Sequence, residues 1–173
     1  MNFKNIQKYV FNCFLLTIPI LVWDYLFTDK LPKAVQSENF RKEIPVYIIQ
    51  FENISRLLMF VMISFMTIRI VKPIQKKGLV LYILGTLLYF ASWLILMYLP
   101  NSEWSKSVLG LLAPAYTPLF WLIGIGLIGF SYFFNIPFKR WLYFLIVIIF
   151  IIFHNWHTYL IYFGISKKIL ISR

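Results

Sequence analysis

The chain has 173 residues, of which 61% are hydrophobic, 20% aromatic and only 13% charged. Soluble domains are nearer half apolar and a quarter charged, so this composition excludes a soluble enzyme, a disordered chain and a disulfide-rich secreted domain. An integral membrane protein fits instead, and its net charge of +11 then indicates contact with anionic lipid headgroups rather than with nucleic acid.

The predicted fold is an all-α, polytopic membrane helical bundle with about five transmembrane helices, in one integral membrane domain over residues 1–173. The spans are expected at about 8–27, 46–70, 79–99, 117–134 and 141–163. The first ends in large residues, Trp23 to Phe27, so we expect a retained span rather than a cleaved signal. Pro114 and Pro118 indicate either a helix broken near its start or a short interfacial segment before the fourth span.

The orientation is predicted from the positive charges in the connections. Lysines and arginines divide equally between the two sides, but those on the N-terminal side lie in short segments without acids. Short basic loops face the cytoplasm, so the N-terminus is predicted inside. The expected location is a membrane that the chain crosses several times, the cell membrane if the source is bacterial.

Ionisable residues within the apolar runs are the candidate site residues, because each costs about 2.5–3.5 kcal/mol at membrane depth. Asp24 lies near the end of the first span, either at the headgroup level or in a cavity. Glu52 and Arg56 are four residues apart, so a helix brings them together as an ion pair. This pair is either a structural element at the membrane edge or, with Asp24, part of one cavity.

His154 and His157 are three residues apart and share a helix face. A catalytic zinc normally takes three protein ligands, and the chain has only 2 His and one Cys. We therefore predict no metal and no cofactor, and the histidines are alternatively hydrogen-bonded between helices. Gly124 to Gly129 matches G-x-G-x-x-G, but inside an apolar span it indicates close helix packing rather than a nucleotide site.

Three segments resemble, in chain order, the EXPERA proteins, the group of the sigma-2 receptor and the emopamil-binding protein. They are Thr17 to Asp24 with Leu31-Pro32, Phe51-Glu52-Asn53 with Leu57-Leu58, and Leu112 to Pro118. The resemblance covers roughly residues 15–130, and a fifth span departs from the smallest members. It implies a helical bundle whose intramembrane cavity takes a sterol-like or amphiphilic amine ligand, with Asp24 and Glu52 as acidic anchors.

These observations predict a protein that binds a lipid-like or hydrophobic small molecule in an intramembrane cavity, rather than an enzyme. Its expected partners are the lipid bilayer and a sterol-like, isoprenoid or amphiphilic ligand. The predicted ligand-binding residues are Asp24, Glu52, Arg56, Tyr116, His154 and His157.

Two alternatives stay open. The first is a membrane-embedded enzyme that acts on a lipid or isoprenoid by acid/base chemistry, with Glu52, Asp24 and a histidine exchanging protons. The second is an accessory or immunity-type membrane protein that acts through its positive surface. A homo-oligomer or a membrane protein partner fits each reading.

Overall fold

The computed structural model describes residues 12–32, 44–134 and 136–171, with side chains as far as Gly164. The start of the predicted first span and most of the connection at 28–45 lie outside these residues. The described part of the predicted first span contains a 3-10 helix, Cys13–Thr17, and is followed by a 3-10 turn, Thr28–Lys30. The helices are α1 Ile18–Phe27, α2 Val46–Phe65, α3 Pro73–Tyr98, α4 Glu103–Lys106, α5 Val108–Tyr116, α6 Pro118–Ile128 and α7 Arg140–Ile171.

The predicted all-α helical bundle is confirmed. Within the described residues, four helical stretches are long and apolar enough to cross a membrane. They are Val46–Phe65, Pro73–Tyr98, Val108–Ile128 and Arg140–Gly164. The predicted first span is not among these four; its fifteen described helical residues, Cys13–Thr17 and Ile18–Phe27, pack on this core.

The fourth span differs from its predicted range of 117–134. Helices α5 and α6 follow each other directly and together form one apolar stretch, Val108–Ile128. Pro118 begins α6, where the missing N–H costs little, and the Thr117 N–H still reaches the Ala113 carbonyl at 3.1 Å. The two prolines therefore leave a joint within one span instead of an interfacial segment before it.

A small antiparallel sheet, which the sequence did not predict, ends two of the spans. Strand β1, Met66–Ile68, follows α2 and pairs with strand β2, Gly129–Tyr132, which follows α6. Asn12 adds an isolated bridge to Thr67. Helix α2 thus ends at Phe65 rather than near residue 70, because its continuation hydrogen-bonds to another segment.

Helices α3 and α6 pack closely through glycines. A Cβ on Gly85 would lie 2.4 Å from the Trp121 backbone nitrogen, and one on Gly124 would lie 2.5 Å from that of Tyr82. Such approaches are open only to residues without a side chain. The helix-packing interpretation of the G-x-G-x-x-G segment therefore agrees with the structure at Gly124.

Candidate ligand-binding site

A cavity of about 420 Å³ lies between the first span and helices α2, α3, α5, α6 and α7. This volume falls within the range of about 300–1,000 Å³ that is typical of small-molecule sites. Most of its wall is apolar or aromatic, including Ile20, Met59, Leu96, Leu111, Trp121 and Phe150. The cavity occupies the half of the bundle in which α3 ends and α5 begins.

Four side chains that carry an ionisable group interrupt this apolar wall. Asp24, Arg56, Tyr89 and His154 all line the cavity, each from a different helix. The hydroxyls of the wall threonines donate to backbone carbonyls of their own segments, as Thr158 does to His154 at 2.9 Å. A few converging polar groups on an apolar wall are the usual composition of a site that orients a ligand.

Asp24 is bound to α3 through Tyr89. The Tyr89 hydroxyl donates to Asp24 Oδ1 at 2.7 Å, and the Tyr82 hydroxyl donates to the Leu16 carbonyl at 2.8 Å. The two tyrosines are two helical turns apart and share a face of α3. The first span therefore runs parallel to α3, with Asp24 facing inward.

Glu52 lies at the centre of a buried polar network between α2 and α7, in which its carboxylate contacts three side chains. Its side chain is 3% exposed, and it accepts from Arg56 on its own helix. Its Oε1 also lies 3.0 Å from His154 Nδ1, and its Oε2 lies 2.5 Å from His157 Nδ1. The predicted ion pair of Glu52 and Arg56 is present, and it is joined by both histidines.

The structure corrects the expectation that Glu52 and Asp24 face one cavity. Asp24 lines the cavity, but Glu52 lies behind the wall, covered by Arg56 and His154. The reason is geometric, because a carboxylate that holds three partners on α2 and α7 must sit between those helices. Glu52 is thus placed to position the two cavity-lining side chains rather than to touch a ligand.

The carboxylate of Glu52 also fixes the tautomer of His154. An ionised carboxylate only accepts hydrogen bonds, so His154 must carry its proton on Nδ1. The second ring nitrogen, Nε2, has no hydrogen-bond partner within the described part of the chain. The His154 ring stacks on the Phe150 ring, with 5.2 Å between the ring centres. The Arg56 guanidinium lies 5.6 Å from the centre of the Phe150 ring.

The other two predicted site residues do not line the cavity. His157 is 2% exposed and lies behind Glu52, while Tyr116 is partly buried at the end of α5. Glu52 and the histidines contact each other directly. Even so, the described residues contain no group of three His, Cys, Asp or Glu arranged to hold a metal ion.

Comparisons of the chain with protein-family models, with curated proteins and with solved structures find no match.

Sequence reasoning did not identify Tyr89 as a partner of Asp24. A tyrosine within an apolar span resembles any other aromatic residue of a membrane helix. The sequence feature that points to Tyr89 is its spacing from Tyr82, which places two hydroxyls on one face of α3. Their partners, Leu16 and Asp24, are separated by a similar length of the first span.

Proposed function

We propose that this chain is a multi-pass membrane protein that binds a lipid-like small molecule in the cavity between its first span and α7. The observation that carries the proposal is a cavity of about 420 Å³ whose wall is mainly apolar and carries Asp24, Arg56 and His154. The EXPERA resemblance supports the same class of function. A hydrophobic ligand would reach such a site from the bilayer.

The polar side chains suggest how the ligand is oriented. Asp24 offers a hydrogen-bond acceptor, and Arg56, which is 39% exposed at its side chain, offers donors. The body of the ligand would lie against the aromatic wall of Trp121 and Phe150. A single polar head on an apolar body, as in a sterol-like molecule, an isoprenoid or an amphiphile, matches this distribution.

Photo-crosslinking tests this proposal. The purified protein in a bilayer is labelled with photoreactive sterol and isoprenoid probes, in competition with the unlabelled lipid. We expect labelling on the peptides that carry Asp24 and Trp121, with a severalfold decrease in Asp24→Asn. The matched control is Glu103→Gln, an exposed acid on α4 that should label as the wild type does.

A cavity-filling variant provides a test that does not depend on charge. Ala115 is buried in the cavity wall, whereas Ala91 lies exposed on the outer face of α3. Ala115→Leu should therefore exclude the probe, and Ala91→Leu should not. Equal labelling of both variants and the wild type would contradict binding in this cavity.

A second candidate function, acid/base chemistry on a membrane lipid, is favoured by the environment of His154. An imidazole that donates from Nδ1 to a carboxylate directs its other nitrogen, Nε2, away from that carboxylate, where it can exchange a proton with a ligand. Asp24 and Tyr89 would supply a second proton-exchanging pair across the same cavity.

The hypothesis that the protein is an enzyme is tested by incubating purified protein with a membrane lipid extract and analysing the lipids by mass spectrometry. A new product that disappears in His154→Gln, while the probe still crosslinks, would favour the enzyme over the binding protein. An unchanged extract across a range of pH would leave binding as the function.

A further inference from the structure

A groove on the outer surface of α3 combines two lysines with an apolar floor. The groove is shallow and open, and it is lined by residues of α3 alone, which are Lys76, Lys77, Val80, Leu81 and Leu84. Both lysines are exposed, as are Val80 and Leu84. The groove therefore lies on the face of α3 that points away from the bundle, where a membrane helix meets lipid.

The apolar floor continues along the helix beyond the groove. Leu87 and Leu88 are 59% and 50% exposed on the same outer surface. At about 1.5 Å per residue, the path from Lys76 to Leu88 is about 18 Å long. This length is close to one leaflet of a hydrocarbon core that is about 30 Å thick.

The end of the bundle around the groove is basic and carries no acid. The connections between α2 and α3 and between α6 and α7 contain Arg69, Lys72 and Lys139, and the sequence has no Asp or Glu from residue 53 to 102 or after 103. Arg69 and Lys72 lie over the Phe130 ring at 4.7 and 5.7 Å. No described carboxylate is thus close enough in sequence or structure to neutralise Lys76 or Lys77.

We propose that this groove binds one anionic phospholipid, with its phosphate at Lys76 and Lys77 and an acyl chain along Val80, Leu84 and Leu88. The ammonium groups supply charge complementarity to a phosphate. The exposed leucines supply apolar contact that a soluble anion would not use. Seventeen residues, or about 25 Å of helix, separate Lys76 from Trp93, so this site is independent of the cavity.

The proposal is tested by lipid retention. Full-length protein is reconstituted in phosphatidylcholine with a minor fraction of phosphatidylglycerol, then extracted, and its bound lipids are measured by native mass spectrometry. We expect enrichment of phosphatidylglycerol on the wild type. Since one lysine near an anionic surface contributes about fivefold, the enrichment should fall about 25-fold in Lys76→Gln/Lys77→Gln.

Two further variants locate the site. Leu84→Trp fills the groove without changing its charge and should also reduce the enrichment. Lys106→Gln removes an exposed charge from α4, at the opposite end of α3, and should retain wild-type enrichment. Thermal unfolding of each variant in detergent checks that the exposed substitutions leave the fold intact.

Three outcomes would overturn the proposal. In the first outcome, the double variant retains as much phosphatidylglycerol as the wild type does. In the second, Lys106→Gln loses as much phosphatidylglycerol as the double variant does. In the third outcome, inorganic phosphate would displace the lipid completely and Leu84→Trp would have no effect. That result would identify an anion site without an acyl-chain groove.

Discussion

The two main helix interfaces of the bundle are built by opposite means. Helices α3 and α6 meet through Gly85 and Gly124, and their backbones approach almost to contact. Helices α2 and α7 meet through the buried carboxylate of Glu52 and the two histidines. One interface depends on the absence of side chains, and the other on contacts among them, both hydrogen bonds and the stacking of Phe51 on Phe153.

The difference sets how far apart the helices stand at each interface. An interface closed by glycines leaves no room between the helices, whereas one closed by a polar network holds them together at the length of its side chains. The cavity adjoins both interfaces: Arg56 and His154 belong to the network and the cavity wall, and Trp121, which packs against Gly85, lines the same wall. We expect each interface to respond to a different kind of substitution.

The largest expected effect is that of Glu52→Gln. The amide would keep one acceptor oxygen but turn an N–H group toward a donor, so at least one of the three partners would lose its acceptor. Removing one partner of a buried ionic network costs about 3–5 kcal/mol. Thermal or denaturant unfolding in detergent measures this loss, and Glu103→Gln on the exposed α4 is the control. A stability equal to that of the wild type would mean that the network does not hold α2 to α7.

A smaller effect is expected of Gly124→Ala, which tests the glycine interface. The new Cβ would overlap the backbone of Tyr82, and overpacking of this kind costs about 1–3 kcal/mol. Gly164→Ala is the matched control, because a Cβ there meets nothing within 4 Å. Gly164→Ala should raise the free energy of unfolding by up to about 1 kcal/mol, because alanine has a higher helix propensity than glycine. An equal change in the free energy of unfolding for the two substitutions would contradict close packing of α3 on α6.

The smallest effect is expected of Tyr89→Phe, which removes one hydrogen bond from the helix that also carries Gly85. The loss should be about 1 kcal/mol, with retained folding, because the hydrogen bond to Asp24 disappears. Tyr98→Phe is the control, since that side chain is 70% exposed. A decrease as large as that of Glu52→Gln would place the main polar interface at the first span instead of at α7.

The sequence predicts what is local in this structure. The pairing of Glu52 with Arg56 and the shared face of His154 and His157 follow from helical periodicity alone. Their meeting does not, because 102 residues separate Glu52 from His154 and no local pattern determines which helices become neighbours.

The small sheet and the joint at Thr117 show the same limit at the ends of the spans. Met66–Ile68 and Gly129–Tyr132 are short apolar segments that continue apolar runs, so hydropathy extends the helices through them. Only their pairing across the bundle makes them strands. The prolines correctly indicate an irregularity, but whether the helix resumes after Pro118 depends on packing against α3.

The pairing of Glu52 and Arg56 within one helix has a consequence for biogenesis. Because α2 precedes α7 in the chain, Glu52 emerges from the ribosome before the two imidazoles that α7 brings. During this interval Arg56 is the partner that the nascent helix itself supplies, so α2 can insert with its carboxylate already compensated. The arrival of α7 then completes the network and, with it, one wall of the cavity.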